Sequence, residues 1–226
     1  MNLPATNRHP IVLYVEDSVD DRELMRSAAK VSHVKFALAL ADGYSEAVDY
    51  LGGERQYADR TRYPLATFVL LDYALGTLKG VDLVRWIRKQ SGISSLPVVM
   101  FSGCTEVPEM AECYAAGADY CIKKPLRTED LLKVVRGLDV CLEHNPPLLA
   151  ALADVAADPT LERQALTAAL KQGLADNRAL REQAQVRIAK LDLTMAVRKE
   201  VVKNVPFARK TGQEAEALGA DRLERP

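Results

Sequence analysis

Four apolar runs of this chain each end on residues that can do chemistry. IVLYV (11–15) is followed by Glu16 and Asp17, FVLL (68–71) by Asp72, and PVVMF (97–101) by Ser102. A fourth run, DYCI (119–122), leads into Lys123, Lys124 and Pro125. Short apolar runs bounded by turn-forming residues read as strands. In an open parallel sheet, ligands bind beyond the carboxyl ends of the strands. Glu16, Asp17, Asp72, Ser102 and Lys124 are therefore expected to converge there from separate parts of the chain. Three carboxylates held together repel, and such a cluster is costly unless a cation joins it. A hard divalent ion suits it, and Mg2+ uses one or two carboxylates together with water and phosphate oxygens. A lysine alongside acts as a point charge on a phosphoryl group, and a small hydroxyl can hydrogen-bond another of its oxygens. The set suits in-line phosphoryl transfer onto a carboxylate, where charge neutralisation and positioning supply most of the catalysis.

The elements that must position these residues alternate. After IVLYV and a turn-rich acidic stretch, DRELMRSAAKV places Leu24, Ala28 and Val31 at helical spacing. FALAL then leads to a helical segment that stops at Gly52-Gly53. ATFVLL, the helix VDLVRWIRKQ, PVVMF, a helix around PEMAECYAAG, DYCI and the helix TEDLLKVVRGLDVCLEH follow. Five strands alternating with helices predict a (βα)5 doubly wound parallel sheet, an α/β fold covered on both faces. Its strands should be continuously apolar, and they are.

The pattern breaks at HNPP (144–147), which cannot easily continue a helix. Two units are expected: residues 1–145 around the sheet and a helical extension over 146–226. Leu148, Leu149, Leu152 and Val155 form a short apolar face in the extension. Asp158-Pro159 reads as an N-cap followed by proline at the first helical position. Helical periodicity then runs to about Val205, weakened at Gly173. Ala184, Ile188, Leu191, Met195, Val202 and Val205 form one stripe, interrupted by Arg198. Such a stripe buries against its own domain, pairs with a second copy, or serves an output function. The segment from Arg187 to Lys210 is locally basic, which reads as a solvated helix face before it reads as a surface for DNA. Residues from Pro206 onward are polar.

With 226 residues, nearly half of them apolar, the chain can bury a sizeable core, and its net charge of -1 favours no nucleic-acid partner. No apolar run is long enough to span a bilayer, and MNLPATNRHP lacks the apolar stretch of a signal peptide, so a cytoplasmic protein without membrane contact is expected. Cys104, Cys113, Cys121 and Cys141 show no metal-binding spacing and read as reduced, mostly buried thiols.

YVEDS, VLLDYALGTLKG, MFSG and DYCIKKPL, in this order on a five-fold β-α pattern, resemble the receiver domain of two-component response regulators from about Ile11 to His144. The insertion LGGERQYADRTRYP is similar to that of the stand-alone receivers serving bacterial phytochromes. The resemblance implies a strand order of 2-1-3-4-5 and Asp72 as the acceptor of a phosphoryl group from a sensor histidine kinase. It implies Asp17 as a direct Mg2+ ligand, Glu16 holding a metal-bound water or standing behind the direct ligands, and the backbone carbonyl of Ala74 as a further ligand. Ser102 then reports phosphorylation, and Lys124 pairs with the phosphoryl oxygens across a Lys-Pro bond that is usually cis. Gly76 stands where many receivers have proline, so a looser loop is expected. Cys121 stands at the switch aromatic's place, and the neighbouring Tyr120 would point to the other face. The face made by the fourth helix, fifth strand and fifth helix is expected to report the state. No effector enzyme motif is recognised in the tail. A signalling adaptor, with the tail as a dimerisation or docking element, is the leading expectation. A transcriptional regulator with an atypical DNA-binding tail is the alternative.

Overall fold

The computed structural model describes residues 9–103, 106–144, 159–172, 182, 184–193 and 195–196. Five parallel strands form its central sheet: β1 (Ile11–Val15), β2 (Ala37–Ala41), β3 (Phe68–Leu71), β4 (Val98–Ser102) and β5 (Tyr120–Lys123). Their order is 2-1-3-4-5, as the resemblance implies. The connecting helices are α1 (Val19–Val31), α2 (Tyr44–Gly52), α3 (Gly80–Lys89), α4 (Val107–Ala116) and α5 (Thr128–His144). A further helix is α6 (Pro159–Gln172). Helical backbone recurs over 184–193. The expected break at Asn145–Pro147 lies outside the described residues, as do Cys104, Leu148–Val155, Asp158, Val202 and Val205.

Alternation along the strands divides the core. Val12, Tyr14, Phe68, Leu70, Val99, Phe101, Tyr120 and Ile122 face α1 and α5. Leu13, Val15, Val69, Leu71, Val98, Met100 and Cys121 face the opposite side, with α2, α3 and α4. Tyr120 and Cys121 thus point to opposite faces, as strand alternation requires.

Three local expectations are corrected. In α1 the buried side is Met25, Ala28 and Ala29, while Leu24 and Val31 are exposed. Both stripes satisfy helical spacing, but the helix entry chooses between them. Ser18 accepts a bond from the Asp21 amide as N-cap, and Arg22 reaches back to the carbonyls of Glu16 and Asp17. Second, the loop after Asp72 is not loose. It is a tight hairpin, Ala74–Leu75 against Leu78–Lys79, and Gly76 adopts φ 63° at its first central position. Proline cannot take that angle and glycine can. Third, the described residues contain no cis peptide bond, so Lys124–Pro125 is trans, the form favoured before proline by roughly 0.5–1 kcal/mol.

The insertion after α2 is held by its own chemistry. Gly53 ends α2 in the left-handed region, and the Arg60 guanidinium takes the carbonyls of Tyr50 and Leu51 at 2.8 Å each. Tyr57 meets Tyr50 and Tyr63 edge-on, with ring centroids 5.1 Å apart in both pairs.

Candidate functional site

The carboxyl end of the sheet gathers the residues singled out above. Glu16 and Asp17 follow the last residue of β1. Asp72 follows β3 beside them, its amide bonded to the Val15 carbonyl at 3.0 Å. Ser102 closes β4, and its carbonyl accepts from the Lys124 amide at 2.7 Å. The ammonium of Lys124 therefore enters the acidic end of the sheet. It lies 2.5 Å from Glu16 Oε2, 3.0 Å from Asp72 Oδ1 and 3.0 Å from Asp21 Oδ2. Lys123, one residue earlier on the alternating strand, is exposed.

Each acid has a distinct setting. Glu16 is 1% exposed; Tyr14 donates its hydroxyl to Oε2 at 2.7 Å, and the Ser18 amide donates to Oε1 at 3.2 Å. Asp72 is buried, and its Oδ2 accepts from the Ala74 amide at 3.1 Å. Asp17 is exposed, and the hairpin at Gly76 passes beside its Oδ2. One oxygen from each of Glu16, Asp17 and Asp72 lies within 4.8 Å of the others.

Burial raises the carboxyl of Asp72 above its ordinary range, against the pull of Lys124. Burial also raises Glu16, against its bonds from Lys124 and Tyr14. Burial alone would lower Lys124, yet its bond to Glu16 and the charge of Asp72 outweigh that and hold it above the usual lysine value. Glu16, Asp21 and Asp72 thus share one ammonium with Asp17 beside them, while Arg22 directs its guanidinium to main-chain carbonyls. Negative charge remains in excess. Hard oxygen donors with surplus negative charge fit a divalent cation. Glu16, already engaged by three donors, suits an indirect role better than direct ligation.

Gly80 fixes the acceptor's backbone. A Cβ there would lie 2.1 Å from the Asp72 carbonyl oxygen, so only glycine permits this approach. Behind Ser102 a cavity of about 10 Å3 is lined by Tyr73, Met100, Ser102, Met110, Cys113 and Cys121. It holds roughly one water and no aromatic ring. Cys113 and Cys121 are buried free thiols on its wall.

Sequence reasoning missed Asp21, the Tyr14 hydroxyl, and the bond from Tyr73 to Glu112 of α4 at 2.6 Å. The acidic run after Asp17 was the available signal for Asp21; which of its members would meet Lys124 depends on helix phase.

A family model described as the response regulator receiver domain matches residues 12–136. The chain belongs to this family. Among curated relatives, two-component response regulator ARR17 of Arabidopsis thaliana is 30% identical over 125 residues, covering 54% of this chain and 80% of that protein. Two-component response regulator ORR1 of Oryza sativa subsp. japonica is 28% identical over 151 residues, covering 61% of this receiver chain and 62% of its own. Among solved structures, a response regulator in red light signaling of R. palustris, RPA3017, is 25% identical with a TM-score of 0.57, covering 61% of this chain and 96% of that one. The phosphorylated cyanobacterial phytochrome response regulator RcpA shares the fold at 23% identity and a TM-score of 0.55, covering 62% and 97% of the two chains. The Mn(2+)-bound form of response regulator Rcp1 does so at 24% identity and a TM-score of 0.52, over 60% and 96%. Among the described residues no helix is long and apolar enough to cross a membrane.

Proposed function

We propose that this receiver accepts a phosphoryl group on Asp72 from the phosphohistidine of a sensor histidine kinase, and signals by changing its self-association or partner binding. The observation that carries the reading is the Asp72 carboxylate, buried, 3.0 Å from Lys124 and grouped with Glu16 and Asp17. In the transfer, an Asp72 carboxylate oxygen forms the new P–O bond as the P–N bond to imidazole breaks, and the imidazole takes up a proton. Asp17, Asp72 and the Ala74 carbonyl would hold Mg2+, with Glu16 acting indirectly. When bound, the ion neutralises charge on the phosphoryl oxygens. Lys124 holds a phosphoryl oxygen once it gives up one of its three carboxylates, and the Ser102 hydroxyl donates to another. The Ala74 amide keeps the acceptor oriented. Acceptance and loss of its own phosphoryl group is the only chemistry assigned to the chain. The likeness to a red-light response regulator supports a phytochrome-type kinase as the donor.

The test is incubation of the full chain with phosphoramidate and Mg2+, read by intact mass. Uptake of one hydroxylamine-labile phosphoryl group is expected. No uptake, or uptake that survives hydroxylamine, contradicts an acyl phosphate.

A further inference from the structure

The outer side of α4 is covered by the chain itself. Ala165, Leu166 and Ala169 of α6 are buried and belong to the same apolar cluster as Met110, Ala111 and Tyr114 of α4. Ala184 is buried there too, with Ile188 and Leu191 packed beside it. A charged key sits in this contact. Glu162, 2% exposed, accepts a bond from the Tyr114 hydroxyl at 3.2 Å and pairs with Arg187. The guanidinium of Arg187 lies 3.7 Å from the centroid of the Tyr120 ring and 5.5 Å from that of Tyr114. It also donates to the main-chain carbonyl of Asp119. A second pair, Arg163 with Asp192, joins the two helical segments. Arg187, which reads from sequence as a solvated base, is instead the centre of an internal clasp.

This clasp grips elements that also serve the acidic site. Tyr120 begins β5, and the same strand leads directly into Lys124. From the other side, Tyr73, the neighbour of Asp72, donates to Glu112 of α4, and Lys79 lies 3.1 Å from the same carboxylate oxygen. Met110 and Cys113 of α4 close the cavity behind Ser102. The loops around Asp72 thus hold α4 on one side and the extension holds it on the other. Packed interfaces of this kind switch between discrete arrangements rather than deform continuously.

We propose that the α4–β5 face is a docking surface whose occupant is the chain's own residues 159–172 and 184–193, latched by Glu162 and Arg187, and that phosphorylation of Asp72 releases them. The inference rests on Asp72 being the phosphoacceptor. A phosphoryl group competes for Lys124 with Glu16 and Asp21, which shifts β5 and α4 away from the arrangement that Arg187 and Glu162 fit. Release uncovers Tyr114 and Tyr120. By linkage, loss of the latch strengthens binding at Asp72 by the factor with which that binding weakens the latch.

Hydrogen exchange read by mass spectrometry on the full chain, with and without Mg2+ and beryllofluoride, tests this. In the wild-type protein the additions are expected to slow exchange in the loops around Asp72. They should also speed exchange in α6 by about tenfold, within the usual range of coupling between sites. Arg187→Ala should show the fast α6 exchange without additions and bind beryllofluoride about tenfold more tightly. Slowed loops with unchanged α6 exchange overturn the latch and leave the phosphoacceptor reading intact. No change in the loops overturns both. Faster α6 exchange on simple dilution assigns the segment to a second copy and overturns the intrachain latch. Should Arg187→Ala lose protection in β1 and β3, the wild-type comparison alone decides.

Discussion

Two charged clusters among the described residues are built on opposite principles. At the carboxyl end of the sheet, Lys124 meets Glu16, Asp21 and Asp72, with Asp17 beside them; the carboxylates outnumber the ammonium. At the clasp, Arg187 pairs with one carboxylate among the described residues, that of Glu162, closed in by the rings of Tyr114 and Tyr120, and donates to the Asp119 carbonyl. Burial would lower Arg187, but Tyr114 and Glu162 outweigh it and hold the guanidinium protonated. At the sheet end, burial wins instead and the carboxyls of Asp72 and Glu16 are raised. A one-to-one buried pair fastens two segments and loses badly when one partner goes. A cluster with surplus carboxylate is electrostatically incomplete, and the proposed divalent cation would offset that surplus.

The largest contrast is in phosphoryl acceptance. Asp72→Asn is expected to lose all labelling by phosphoramidate, while Arg187→Ala labels to the wild-type extent; retained label on Asp72→Asn would break the comparison. Next comes the effect of deleting one carboxylate on stability. Glu162→Ala strands Arg187 and should cost about 3–5 kcal/mol in urea unfolding of the extension. Asp72→Asn, measured in EDTA, should instead be neutral or stabilising by about 1 kcal/mol, because it relieves repulsion. Equal losses at both places would remove the distinction. Mg2+ sharpens it further. At 100 times its dissociation constant the ion should stabilise the wild-type receiver by about 2.7 kcal/mol and leave Asp17→Asn unaffected. Differential scanning calorimetry reads both. Gly80→Ala should cost about 1–3 kcal/mol and slow labelling, since its Cβ collides with the Asp72 carbonyl.

The smallest effect is in pH. The raised carboxyls of Asp72 and Glu16 mean that the folded chain binds protons more tightly than the unfolded chain, from the ordinary carboxylate values up to the raised ones. Their contribution to stability therefore falls as pH rises through that window. In EDTA, the advantage of Asp72→Asn over wild type should grow as pH rises above the ordinary carboxylate range and level off above the raised value of Asp72. An advantage that shrinks with rising pH would mean that Lys124, not burial, governs Asp72.

Much of the site was legible because a strand's end is a fixed address. Glu16, Asp17, Asp72, Ser102 and Lys124 each follow an apolar run, and parallel strands carry all such ends to one edge. What escaped depends on helix phase and on partners distant in sequence. In α1, Ala28 buries at its expected place, but Met25 and Ala29 join it instead of Leu24 and Val31 because Ser18 and Arg22 orient the helix, and that same phase brings Asp21 to Lys124. Gly76 signalled a special backbone, but only its angle shows a tight hairpin in place of a loose loop. The partner of Arg187 lies on another helix, and local charge cannot reveal it. The apolar stripe was legible for Ala184, Ile188 and Leu191, which do bury against the chain's own core.

Borohydride trapping tests the central claim most directly. The chain, labelled by phosphoramidate in Mg2+, is reduced and then mapped by peptide mass spectrometry, because borohydride converts an acyl phosphate to homoserine. Homoserine in place of Asp72 alone, absent when EDTA replaces Mg2+, is the result expected. Homoserine in place of Asp17 or Asp21, or a label insensitive to EDTA, would contradict the assignment of Asp72 as the acceptor.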